Sequence, residues 1–129
     1  MTIKLTPTEA EKFFHNALCN GLQYLSQYGC KIDYSEHDYK KAKERLQQEN
    51  LSSICYEDVL LEILIGGKTL TLIDTENGCD DSVITINDVY ERLPLTPLRH
   101  LTDMMNEIDD ADTADVILQT VFYEDVIFG

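Results

Sequence analysis

Past residue 50 the sequence has almost no positive charge: Lys68, Arg92 and Arg99 stand against seventeen Asp and Glu residues, whereas residues 1–50 hold seven bases and seven acids. The whole formal charge of −14 therefore falls on residues 51–129. An excess of carboxylates repels phosphate, which argues against direct binding to nucleic acid or to an anionic membrane surface. No apolar run approaches the roughly 18 residues of a membrane span, and the opening Met-Thr-Ile-Lys-Leu lacks the features of a secretory leader. Cys19, Cys30, Cys55 and Cys79 form no C-x-x-C pair and have no histidine in ligand spacing, so a zinc pattern is missing too. These absences lead to the expectation of a cytoplasmic protein with free thiols and neither metal nor cofactor.

The signatures of catalysis are also missing. There is no G-x-S-x-G, G-x-G-x-x-G, H-E-x-x-H or phosphate-binding G-x-x-x-x-G-K, and His15, His37 and His100 stand in no recognisable motif. The acidic loop from Asp74 to Asp81 suggests a cation site, but an EF-hand needs Gly at position 6 and Glu at position 12, where Cys79 and Thr85 stand. Paired carboxylates arise by chance in so acidic a chain. The expectation is a protein that is not an enzyme.

What is present is an ordinary globular composition, 43% apolar and 26% charged over 129 residues. A chain of that size buries about two-thirds of its extended surface, enough for a core without staples. Thr6-Pro7-Thr8-Glu9 reads as a cap, a first-turn proline and a reciprocal Glu, opening a helix that Gly29 ends. Ala10, Phe14, Ala17, Leu18, Gly21, Leu25 and Tyr28 form its stripe, and Gly21 implies close approach of another element. Phe13 and Phe14 are not expected to face the same core, which leaves one aromatic set for self-association and a homodimer.

Cys30 to Tyr34 reads as extended. Ser35 caps a mostly exposed helix ending near Asn50, and a third helix is expected over Tyr56 to Ile65, burying Val59, Leu60, Ile63 and Leu64. Lys68 to Asp74 and Ser82 to Ile86 flank Asn77-Gly78 as a β-hairpin. Its preferred register sets Leu70 opposite Ile86 and Leu72 opposite Ile84, which avoids an Asp74–Asp81 pair. Asn87 is expected to cap a short helix over Asp88 to Leu93, Thr96-Pro97 to open another over 97–108 with a seam of Leu98, Leu101, Met105 and Ile108, and Asp112 or Thr113 to cap a last one through Phe122. The apolar tail from Tyr123 to Phe128 is expected to pack. The fold class that follows is α+β: residues 1–129 as one mostly helical domain on a small antiparallel sheet built around one hairpin.

With Leu98, Leu101, Met105 and Ile108 inward, Asp103, Glu107 and Asp110 fall on the opposite face of the 97–108 helix, continued by Asp109, Asp112 and Asp115. Carboxylates one turn apart lie about 6 Å from each other, near the phosphate spacing of a nucleic-acid strand. These six residues are the candidate site: a surface for a basic protein partner, with imitation of a nucleic acid as one form of that binding. The compact form would suit an accessory protein of a phage or mobile element. Two other readings are an assembly subunit working through an apolar interface, and a small enzyme with a histidine beside a Cys or carboxylate in a concave pocket.

Overall fold

The computed structural model describes residues 4–49, 53–78 and 80–128. Among them the chain forms α1 (Pro7–Gln27), β1 (Cys30–Asp33), α2 (Glu36–Gln48), α3 (Tyr56–Ile65), β2 (Leu70–Asp74), β3 (Ser82–Ile84), α4 (Ile86–Arg92), a 3-10 turn (Leu93–Leu95), α5 (Leu98–Met105) and α6 (Ala111–Tyr123). This is an α+β fold of six helices and a small three-stranded antiparallel sheet, on which α1, α3, α4 and α6 pack. Local chemistry sets several boundaries. Thr6 Oγ1 accepts from the Glu9 N–H at 3.1 Å while Glu9 Oε1 accepts from the Thr6 N–H at 3.0 Å, closing the capping box of α1. Gly29, at φ +83°, turns the chain out of α1 into β1. Helix α3 has the bounds and the buried face that its sequence predicts.

The sheet differs from the expected hairpin. β2 is its central strand, and its longer pairing is with β1, from Cys30 opposite Asp74 to Asp33 opposite Thr71. On the other side Leu70 faces Ile84 and Leu72 faces Ser82, so the register is two residues away from the expected one and the same residues still point inward. The reason lies at Thr85. Its N–H donates to Asp88 Oδ2 at 2.8 Å and makes it the cap of α4, which takes Thr85 and Ile86 out of the strand and replaces Asn87 as the cap. Asp74 Oδ1 meanwhile accepts from the N–H groups of Glu76 and Asn77, an Asx turn that opens the β2–β3 connection. Cys79 lies outside the described residues.

Helix α6 is the centre of the core: every residue from Thr113 to Phe122 is buried. A helix that is buried all round must be covered all round, and α1, α4, α5, the 3-10 turn and β3 do so. α1 approaches most closely, at Gly21, where an added Cβ would lie 3.1 Å from both the carbonyl carbon and the Cβ of Ala114. The close approach expected at this glycine is thus with α6. Phe13 and Phe14 are 6% and 0% exposed and belong to one core, contrary to the expectation for that pair. α1 lies between α6 on one side and α3 on another, so neighbouring residues of α1 both find cover.

Candidate functional site

α5 is shorter than the 97–108 helix expected, and its buried side differs. His100, Leu101 and Met104 face inward, whereas Leu98, Met105 and the following Ile108 are 52%, 48% and 67% exposed. The seam placed on Leu98, Met105 and Ile108 is therefore corrected. The phase that buries His100 wins because its ring is satisfied there. Nδ1 lies 3.0 Å from Thr113 Oγ1, and Nε2 accepts from Arg99 Nε at 3.3 Å, which leaves the ring proton on Nδ1. Thr96 does not cap α5: it is buried behind Pro97, which takes the cap position.

The end of α5 follows from backbone bonding. Ile108 N–H bonds to the Asp103 carbonyl at 2.9 Å and Glu107 N–H to the Met104 carbonyl at 3.2 Å, the paired bonds of a Schellman turn. The residue between them in that motif adopts a left-handed conformation, and here it is Glu107, at φ 60°. A non-glycine residue there costs about 1 kcal/mol. Its carboxylate projects into solvent, 82% exposed and 3.9 Å from Lys12 Nζ.

The six candidate acids thus have unequal fates. Asp103 is half-buried on α5, Glu107 sits at the turn, and Asp109 is half-buried in the connection. Asp110 caps α6 in place of Asp112 or Thr113: its Oδ1 accepts from the Thr113 N–H at 2.9 Å, a bond that holds its carboxyl below the usual range. Asp112 is exposed in the first turn of α6, 4.0 Å from Arg99 Nη2. Asp115 leaves the group, being 6% exposed, with Oδ2 accepting from Tyr28 Oη at 2.7 Å and Oδ1 from Gln119 Nε2 at 3.0 Å. Since α5 ends at Met105, Asp103, Glu107 and Asp110 do not share one helical row, and the phosphate-like spacing expected of them is lost.

Asp115 instead anchors the tail. Gln119 Oε1 accepts from the N–H groups of Ile127 and Phe128, both at 2.8 Å, and Phe128 stacks on Tyr28 with centroids 5.0 Å apart. Burial, together with the bond to Asp115, pushes the Tyr28 phenol up to about 12. Phe128 is packed as expected, but Val126 and Ile127 remain exposed.

A pocket of about 180 Å³ opens between α1, β1 and the start of α3, lined by Leu22, Leu25, Ile32 and Tyr56 among others, with no histidine in its wall. The constellation that sequence reading missed lies elsewhere, where His15 reaches Asp58 at 2.6 Å. Its two residues are 43 positions apart, so no local spacing could announce them. Among the described residues no helix is long and apolar enough to cross a membrane. Comparison with known proteins finds no match to a family model, to a curated protein or to a solved structure.

Proposed function

We propose that this protein is a non-enzymatic interaction protein whose docking face is the outer side of α5 and the connection into α6, and that its partner is a basic protein. The observation that carries the reading is an apolar stripe left in solvent beside carboxylates: Leu98 and Met105 on α5, with Leu95 and Ile108 at its two ends, near Asp103, Glu107, Asp109, Asp110 and Asp112. Exposed apolar groups edged by charge are the usual make-up of a protein-binding surface, the apolar part giving affinity and the charged edge selecting a partner of opposite sign. Among the described residues, Lys12 and Arg99 lie 3.9 and 4.0 Å from Glu107 and Asp112. Glu107 supports the same reading, because a carboxylate kept in a left-handed position where glycine would be easier is strain with a use. The exposed thiols of Cys19 and Cys55 fit a reducing cytoplasm as its location.

The test is capture of the native partner by the wild-type chain, by Asp103→Asn/Glu107→Gln/Asp112→Asn and by Leu98→Ser/Met105→Ser, each over a salt series. Loss of capture by both variants, with wild-type binding weakened by salt, is the expected result. Capture that survives molar salt and the charge variant, but not Leu98→Ser/Met105→Ser, would favour the second reading, an assembly subunit in which the same apolar stripe makes the contact and the acids serve solubility. Capture unaffected by either variant would remove this face from consideration.

A further inference from the structure

Helix α1 and the start of α3 bring a thiol, an imidazole and a carboxylate into a chain. His15 Nε2 lies 2.6 Å from Asp58 Oδ1, and Nδ1 of the same ring lies 3.9 Å from Cys19 Sγ. His15 and Cys19 are one turn apart on α1 and so share a face, while Asp58 comes from α3. A carboxylate only accepts, so Nε2 carries the ring proton, and Nδ1 of the neutral ring is left to accept from the thiol. Asp58 is itself held: its Oδ2 accepts from the Cys55 N–H at 2.8 Å. The imidazole and carboxylate are 30% and 27% exposed, and Cys19 is open to solvent. This is the order nucleophile, base and orienting group that an activated thiol requires.

We propose that Cys19 is a base-assisted nucleophile, with His15 as its proton acceptor and Asp58 as positioning residue, and that it reacts with small cationic disulfides to form a mixed disulfide. In the step, the Sγ proton passes to His15 Nδ1 as Sγ attacks one sulfur of the disulfide. The new S–S bond forms, the old one breaks, and the departing sulfur takes the proton back from His15 and leaves as a thiol. One disulfide is exchanged for another, and no further oxidant is needed.

The surroundings select the substrate. Backbone N–H groups next to Cys19 are used inside α1, so the donor pair that an acyl-transfer oxyanion needs is missing beside the sulfur. Burial first, then Glu57 and Asp58, push the Cys19 thiol up, so its proton must leave to a base during the attack. The same carboxylates attract an ammonium-bearing disulfide and repel a carboxylate-bearing one.

The experiment follows modification of the reduced full chain by cystamine, bis(2-hydroxyethyl) disulfide and glutathione disulfide, with intact mass for extent and peptide mapping for site. Cystamine is expected to modify Cys19 before Cys55, and about tenfold faster than glutathione disulfide does at low ionic strength. His15→Gln, which keeps the Asp58 bond to Cys55, slows Cys19 by about tenfold or more and leaves Cys55 unchanged. The groups facing Cys19 are His15 on its own helix and Cys55, Glu57 and Asp58 at the start of α3. The wild-type pH–rate profile is therefore expected to reflect proton transfer to His15, and the His15→Gln rate to follow the thiol alone, which burial and the α3 carboxylates hold above the ordinary thiol range. Asp58→Asn changes the profile in the same direction. Should that variant unfold for want of the α3 cap, His15→Gln carries the test. Equal rates at Cys19 and Cys55, equal rates for the three disulfides, or an unaltered profile in His15→Gln would overturn the proposal.

Discussion

Replacing Gly21 by alanine sets two effects of opposite sign against each other. In an exposed helix interior the change favours folding by about 1 kcal/mol, because glycine loses more backbone freedom than alanine. At Gly21 the new Cβ would sit 2.9 Å from Leu118 Cδ1 and 3.1 Å from both the carbonyl carbon and the Cβ of Ala114. Leu118 is fully buried and has little room to turn, and a carbonyl carbon cannot turn at all. Ordinary carbon contacts begin near 3.5 Å, so α1 and α6 must separate by roughly half an ångström. That loosens the layer formed by Phe14, Ala17, Leu18, Ile117 and Leu118, and overpacking of this kind costs about 1–3 kcal/mol. With backbone as the obstacle the upper part of that range applies, and the net change is a loss of about 1–2 kcal/mol, or roughly 4–8 °C in Tm. Thermal and urea denaturation followed by circular dichroism measure it. The exposed neighbour change Asn20→Ala is the control and should stabilise by a few tenths of a kcal/mol. Adding Ala114→Gly to Gly21→Ala should recover part of the loss, since one of the close atoms is gone. A Tm for Gly21→Ala at or above that of the wild type would refute the reasoning.

Glu107→Gly should raise Tm by a few degrees, because it relieves about 1 kcal/mol of left-handed strain and gives up only an exposed 3.9 Å ion pair, while capture of the partner weakens. Asp110→Ala should lower Tm through loss of the α6 cap, and Asp110→Asn, which still accepts from Thr113, should keep it at neutral pH. Asp110 has a depressed pKa in the folded chain, so its contribution is present above the ordinary aspartate range and lost as pH falls through the folded value. The Asn variant should lack that part of the acid limb. Tyr28 and Tyr90 are both raised to about 12, by burial before the Asp115 bond in the first and by the Glu11 bond before burial in the second. Their contribution is complete below about pH 10 and lost as pH rises through about 12. Ultraviolet titration of Asp115→Asn should bring one phenol part of the way back and leave the other in place, and no movement would mean that Tyr28 is held by burial alone.

Elements bounded by local chemistry were readable from the residues. The Thr6 box, the Gly29 turn, the Ser35 cap and the α3 stripe each specify their own position within a few residues of chain. Where two local signals competed, the weaker-looking one won. Thr85 could extend a strand or cap a helix, and the reciprocal bond with Asp88 decided for the cap. In α5 the apolar residues Leu98, Leu101, Met104 and Met105 fall within about 120° of arc, so periodicity locates the stripe but not which edge of it is covered, and the covered edge lies toward His100, for which Thr113 supplies a partner. Of the six candidate acids, Asp103 and Asp109 are half-buried, and Glu107, Asp110 and Asp112 are exposed, as a solvated face requires, although they do not share the helical row expected. The burial of Asp115 could not be read, because what buries it is Tyr28, 87 residues away in the chain.

The burial of α6 has a consequence for how the chain comes off the ribosome. Phe13, Phe14, Ala17 and Leu18 are made before α6, which supplies much of their cover and emerges only after α5 has been synthesised. Until α6 emerges, the face of α1 that packs on it is therefore left uncovered, the kind of apolar surface that chaperones hold and that aggregates when they do not. A nascent chain stalled before Ala111 should be chaperone-bound and protease-sensitive, and release of the α6 segment should convert it to the resistant form in one step.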